Sequence, residues 1–232
     1  MTPVAPLVDA EVLREFLDKA EPFLNDAYLE KTSSDMAERS RSVQQQFPDW
    51  PELWDLAPAT RRLSQEERSL WRPRAEALLP LVRDGRVEEA LEQAAELPGR
   101  PKWLVDWATF WAHLERPERV WWARWVYAPG PQTGALLLLL DNPGVLKAGD
   151  ALRDTYVRVG EAVRFLEAVL ESTRSLTPVA AEFRAPVTLA TVYAVYMFTM
   201  ASWKLTEEFT QVLPPFPVVV RVLLGLNRWE GK

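Results

Sequence analysis

Apolar residues recur at helical spacing along most of this chain. From Val8 to Glu30, the positions Val8, Val12, Phe16, Leu17, Ala20, Leu24, Ala27 and Tyr28 share one helical face. Asp9 stands where a short acceptor side chain caps free backbone N–H groups. From Lys31 to Gln46 the apolar pattern fades, and this tract reads as a solvated helix or a mobile linker. Pro48, Trp50, Pro51, Trp54 and Pro58 then make a proline–tryptophan connection, expected to be irregular chain packed on a neighbour.

Ser64 followed by Glu67 is a capping box, in which each residue satisfies a free N–H of the other, and it predicts a helix start. Pro73 is expected to interrupt this helix, with a further helical stretch from Arg74 to Val82. Asp84-Gly85-Arg86 is a tight turn, and Val87 to Leu97 forms a short amphipathic helix stopped by Pro98-Gly99. Ala75 to Leu97 has the outline of a single tetratricopeptide hairpin. No second copy follows at a period of roughly 34 residues, so no repeat array is expected. Pro101 opens the next helix at no hydrogen-bond cost, and Trp103, Trp107, Phe110, Trp111 and Leu114 line one of its faces.

After Arg116-Pro117 the period changes. Val120 to Tyr127 is rich in β-forming residues, Pro129 to Gly134 supplies turn residues, and Ala135 to Leu140 is an apolar run. Together they predict a β-hairpin with one strand largely buried. Helix returns after Gly149. Leu152, Tyr156, Val159, Val163, Leu166 and Leu170 follow a heptad spacing of 4, 3, 4, 3, 4. Arg153, Asp154, Arg158, Glu161, Arg164, Glu167 and Glu171 fill the other faces, with Glu161–Arg164 and Arg164–Glu167 at favourable separation. Ala185 to Trp203 carries no charge and has the length to span a bilayer. Pro186, three threonines, a serine and two tyrosines favour a core helix over a membrane span. This helix is expected to continue to Val212 and to break at Pro214, Pro215 and Pro217. Val218 to Leu226 is a last hydrophobic helix or strand, with Trp229 as an anchor for the tail.

The predicted fold is therefore mainly α, multi-helical, with one β-hairpin in a central unit and a C-terminal helical bundle. Its organisation is an N-terminal helical region with a polar linker (1–62), a central unit (63–144) and the bundle (145–232). Helix, helix, helix, strand, turn, strand is also the element order of a winged helix.

Composition narrows the chemistry. The 232 residues include no cysteine and a single histidine, His113. Disulfides, thiolate catalysis and cysteine–zinc sites are thereby excluded. Eleven tryptophans stand against this scarcity, six of them between Trp103 and Trp125. A net charge of −6 and a pI near 5.1 argue against a general nucleic-acid coat. Arginine outnumbers lysine, asparagine is scarce and there are nineteen prolines, a thermophile-like bias. The first residues lack a basic region followed by an apolar run, so a cytoplasmic location is the default expectation. Glycine-rich phosphate loops and a G-x-S-x-G elbow are missing from the sequence.

Four groups of residues could carry function. His113 lies seven residues after Asp106, so a His–carboxylate pair is geometrically conceivable, although a structural histidine at a helix end is the simpler expectation. Glu88, Glu92 and Glu96 form a carboxylate row like those that hold metal in helical hydrolases. No matching E-x-x-H exists, and a solvated acidic face is favoured. Arg116, Arg119 and Arg124 would meet DNA phosphates at a wing, yet the helix that would read bases is lined with tryptophan and carries Asp106. Finally, the seam Leu152, Tyr156, Val159, Val163, Leu166 and Leu170, with Trp121 and Trp122, is a candidate protein interface, with an internal bundle core as an equal alternative.

The leading expectation is a non-catalytic cytoplasmic interaction or regulatory protein without a cofactor, acting through an unidentified protein partner or as a homodimer. A winged-helix DNA-binding regulator dimerising through the 150–172 helix stands second, and a helical metal-dependent hydrolase third.

Overall fold

In the computed structural model, which describes residues 7–146, 151–204 and 214–226, the chain is a bundle of helices around two adjoining cores. The helices are α1 (Ala10–Ala20), α2 (Asp26–Gln45), α3 (Trp50–Leu56), α4 (Gln65–Arg83), α5 (Val87–Glu96), α6 (Trp103–Glu115), α7 (Ala135–Leu139), α8 (Leu152–Thr173), α9 (Ala181–Lys204) and α10 (Phe216–Leu223). Trp229 and the stretch 205–212 lie outside the described residues.

Local chemistry sets several helix starts. The Asp9 carboxylate accepts from the N–H groups of Glu11 and Val12, and Ser64 and Glu67 form the full reciprocal capping box. Asn25 and Asp49 cap α2 and α3 in the same manner. α4 runs through Pro73 and Pro80 without ending, so the expected interruption does not occur. Its pairing with α5 turns on Gly85, whose φ of +77° is a left-handed conformation that glycine adopts without strain.

The larger core is aromatic. Trp54, Trp71, Trp107, Phe110, Trp111, Trp121 and Trp122 are all buried in it, alongside aliphatic residues from α4, α5, α7 and α8. It draws on residues from before position 62 and after position 144 as well as from the segment between. The smaller core joins α1, α2, α9 and α10 through Leu29, Met36, Phe183, Val187, Phe216 and Val220. α9 serves both. Ala185, Leu189 and Val192 face the aromatic core while Val187, Ala190, Ala194 and Val195 face the smaller one. Two buried faces explain the long uncharged stretch 185–203 within this helix. No helix among the described residues is long and apolar enough to cross a membrane.

The β-hairpin is not formed. Among the described residues there is no strand, only isolated bridges at Ala128–Thr133 and Val8–Leu140. The turn residues do reverse the chain, since Ala128 and Thr133 exchange backbone hydrogen bonds. Beyond that bridge, Ala135–Leu139 winds into a turn of helix, with Ala135, Leu136, Leu139 and Leu140 inward. Leucine is not β-branched and favours helix, and a short apolar run does not distinguish a buried strand from a buried helix. With no hairpin, the winged-helix order is not realised.

Candidate functional site

α6 carries the groups that organise a cleft at its N-terminal end. Apart from Trp103, Asp106 and Glu115, all of its residues are buried. Thr109 donates from Oγ1 to the Val105 carbonyl (2.9 Å) and accepts from the N–H of Trp122 (3.0 Å). This double bond pins the loop 120–134 across the helix. Trp122 Nε1–H donates to the Tyr127 carbonyl (2.8 Å), and Gln132 closes the loop tip by donating to the Pro129 carbonyl. Gly134 lies so close to the loop that an added Cβ would come within 2.5 Å of the Val126 carbonyl oxygen, at a φ of +128°. Only glycine fits there.

Between this loop, the first turn of α6 and the start of α8 lies a cleft of about 220 Å³. Val105, Trp122, Tyr127, Pro129 and Leu152 give it apolar walls, and Arg100, Lys102 and Arg124 line it with cations. None of these three cations is in an ion pair among the described residues, and the Arg100 Nη1 is buried without a hydrogen-bond partner. α6 and α8 both begin without a side-chain cap. Lys102 and Leu152, at these two starts, border the cleft, so the positive dipole ends lie beside its cationic lining.

One acid sits among these cations. Asp106 accepts a 2.7 Å hydrogen bond from Trp121 Nε1–H on Oδ1. Burial pushes its carboxyl up from 3.8 to about 7, against the opposing pull of the Trp121 hydrogen bond, the Arg124 backbone N–H and the Arg124 charge.

The other sequence-predicted residues are placed as follows. His113 does not pair with Asp106. Its Nδ1–H donates to the Arg119 carbonyl (2.8 Å), its Nε2 has no partner, and burial pulls it down from 6.5 to about 4. It borders a void of about 20 Å³, room for a single water. The three arginines are divided between two places: Arg116 and Arg119 lie over the turn at Gly85, and Arg124 lines the cleft. Glu92 is taken by Arg153 of α8 at 2.7 Å, and Glu161 pairs with Arg158 at 2.8 Å rather than with Arg164. Among the described residues, no group of three or more metal-ligating side chains is placed to hold an ion.

The candidate interface is interior. Tyr156, Val159, Val163, Leu166 and Leu170 are buried against this chain's own helices, with α5 and α9 packed on α8, and Leu152 borders the cleft. Trp121 and Trp122 are 5% and 4% exposed, so neither offers a free surface. α5 and α9 of the same chain cover this seam.

Comparison of the chain with models of protein families, with curated proteins and with solved structures finds no match. The functional reading therefore rests on the cleft. Sequence reasoning passed over Arg100 and Lys102, which lie between a helix stop and a helix start. The legible signal was their nearness to Asp106, an acid in the first turn of a tryptophan-lined helix.

Proposed function

We propose that this chain is a non-catalytic regulatory protein that binds a small organic anion in the cleft between α6 and the 120–134 loop. One observation carries the reading: Arg100, Lys102 and Arg124 gather around apolar walls without ion-pair partners, beside the uncapped starts of α6 and α8. Like charges held together at positive helix ends are unfavourable on their own, and an anion relieves that cost. Apolar walls with a few convergent polar groups are the usual make-up of a small-molecule site. Binding is favoured over catalysis because no hydrogen bond among the described residues pairs Asp106 with Lys102 or Tyr127 as base and nucleophile, the Asp106 carboxylate being engaged by Trp121.

The test is a melting-temperature screen with small organic anions at low and high salt. Ligands that bind the folded state raise the melting temperature by mass action, and Lys102→Ala with Arg124→Ala should abolish the rise. If no organic anion shifts the melting temperature at low salt, the reading fails.

A further inference from the structure

Resting on that reading of the cleft as an anion site, we infer that its ligand is a short aliphatic dicarboxylate, of the size of malonate or succinate, held by one carboxylate on each side. The first argument is charge. Arg100, Lys102 and Arg124 line the space together with the acid Asp106, and with that acid ionised a surplus of about two positive charges remains. A monocarboxylate leaves half of that surplus standing. A dicarboxylate, doubly ionised near neutral pH, removes it. Asp106 does not consume Arg124: its Oδ1 accepts from Trp121 Nε1–H, and Arg124 forms no ion pair among the described residues. The Arg124 guanidinium fork is therefore open to a carboxylate.

Placement and size describe the rest of the ligand. Arg100 and Lys102 come from the segment that leads into α6, whereas Arg124 stands on the loop pinned across that helix. Cations on two sides of one small space suit two carboxylates on one small molecule. Lys102 and Arg124 are exposed and so within reach of an entering ligand, and the Arg100 Nη1 is a donor still without an acceptor. At about 220 Å³ the cleft has room for roughly seven waters, and a dicarboxylate of this length has about that number of non-hydrogen atoms. A lone tetrahedral oxyanion would leave most of that space unfilled. The linking methylenes meet Leu152, Pro129 and Pro131, apolar groups that remain accessible at the mouth.

The experiment is isothermal calorimetry on the full chain at low salt. Its probes are malonate, succinate and glutarate, the monocarboxylates of matching carbon count, and sulfate. At least one dicarboxylate should bind about tenfold or more tighter than its monocarboxylate and than sulfate. Arg124→Ala should erase that advantage, leaving the dicarboxylate at the level of the monocarboxylate, because the second carboxylate loses its partner. Lys102→Ala should weaken both kinds of acid together. Both positions are exposed, and an unchanged melting temperature without ligand checks that the fold is intact. Equal affinity for a dicarboxylate and its monocarboxylate would overturn the inference and leave the organic-anion reading standing. Sulfate binding as tightly as the best dicarboxylate would overturn it too, since the carbon chain would then contribute nothing. An advantage that survives in Arg124→Ala would place the second carboxylate elsewhere and overturn it as well. If no probe binds, the inference fails, and the broader reading then stands or falls on the melting-temperature screen.

Discussion

Two groups of cations in this molecule meet helix ends of opposite polarity. Arg39, on α2, is only 2% exposed, and its Nη1 donates to the Leu224 carbonyl at the C-terminal end of α10 (2.9 Å). Arg61 donates to the next carbonyl, Gly225, at 2.9 Å. A helix C-terminus is the negative end of its dipole and has carbonyls to spare, so these guanidinium groups cap it. Arg39 also lies over the Phe110 ring at 5.4 Å. In the cleft the polarity is reversed, for Arg100, Lys102 and Arg124 face the starts of α6 and α8. The first arrangement draws two carbonyl acceptors from the chain itself, although Arg39 Nε and Nη2 find no partner among the described residues. The second forms no ion pair among the described residues, and in the proposed function an anion from outside supplies what it lacks.

The largest effect tests the structural side. Arg39→Ala should lower unfolding free energy by about 3–5 kcal/mol in urea titration, because it opens a void and leaves the Leu224 carbonyl unpaired. Arg39→Met, which keeps the volume and buries no charge, should cost roughly 1–2 kcal/mol. Equal losses in the two variants would mean that capping alone explains Arg39, and a silent Arg39→Met would mean that packing alone does. Next comes the loop that carries Arg124. Gly134→Ala should cost about 1–3 kcal/mol through backbone strain and weaken ligand binding with it, while a silent substitution would show that the loop is not held as described.

Smaller in effect, and dependent on pH, is Asp106→Asn. An acid whose folded pKa of about 7 exceeds its ordinary 3.8 leaves stability intact below the lower value and loses it as pH rises through the higher one. The Trp121 N–H, the Arg124 backbone N–H and the Arg124 charge act on this carboxyl, and they only partly offset its burial. The melting temperature of the variant relative to the parent should therefore rise between pH 4 and pH 8. His113, pulled down to about 4, works in the opposite sense, with stability lost as pH falls from 6.5 towards 4. A flat Asp106→Asn difference across this range would contradict the buried-acid assignment. The smallest stability change belongs to Arg124→Ala, expected within about 0.5 kcal/mol of the parent although it should impair binding. A substantial destabilisation would turn the cleft cations into structural ones and dissolve the contrast.

Much of the fold was legible in the sequence, and particular residues show why. Asp9, Ser64 and Glu67 act as caps because their chemistry is local. The heptad of α8 is buried as its period demands, but its partner was not readable, since period marks a face and not what covers it. The expected hairpin failed because Val120–Tyr127 and Ala135–Leu140 take their conformation from burial around α6, a tertiary influence that overrides local preference. The polar tract Lys31–Gln46 concealed the buried Thr32, Ser33, Arg39 and Ser40 for the same reason. As for the cleft, Asp106 and Arg124 were both singled out, each for a different purpose. Their meeting with Arg100 and Lys102 depends on how α6 and the loop cross, which no short window of sequence contains.

The bond from Arg39 to Leu224 spans 185 positions. During synthesis α2 emerges with a charged side chain destined for the interior, and its acceptor follows 185 residues later. Until α10 is made, the Leu224 carbonyl is not there to receive Arg39, so this part of the smaller core closes only after α10 has been made.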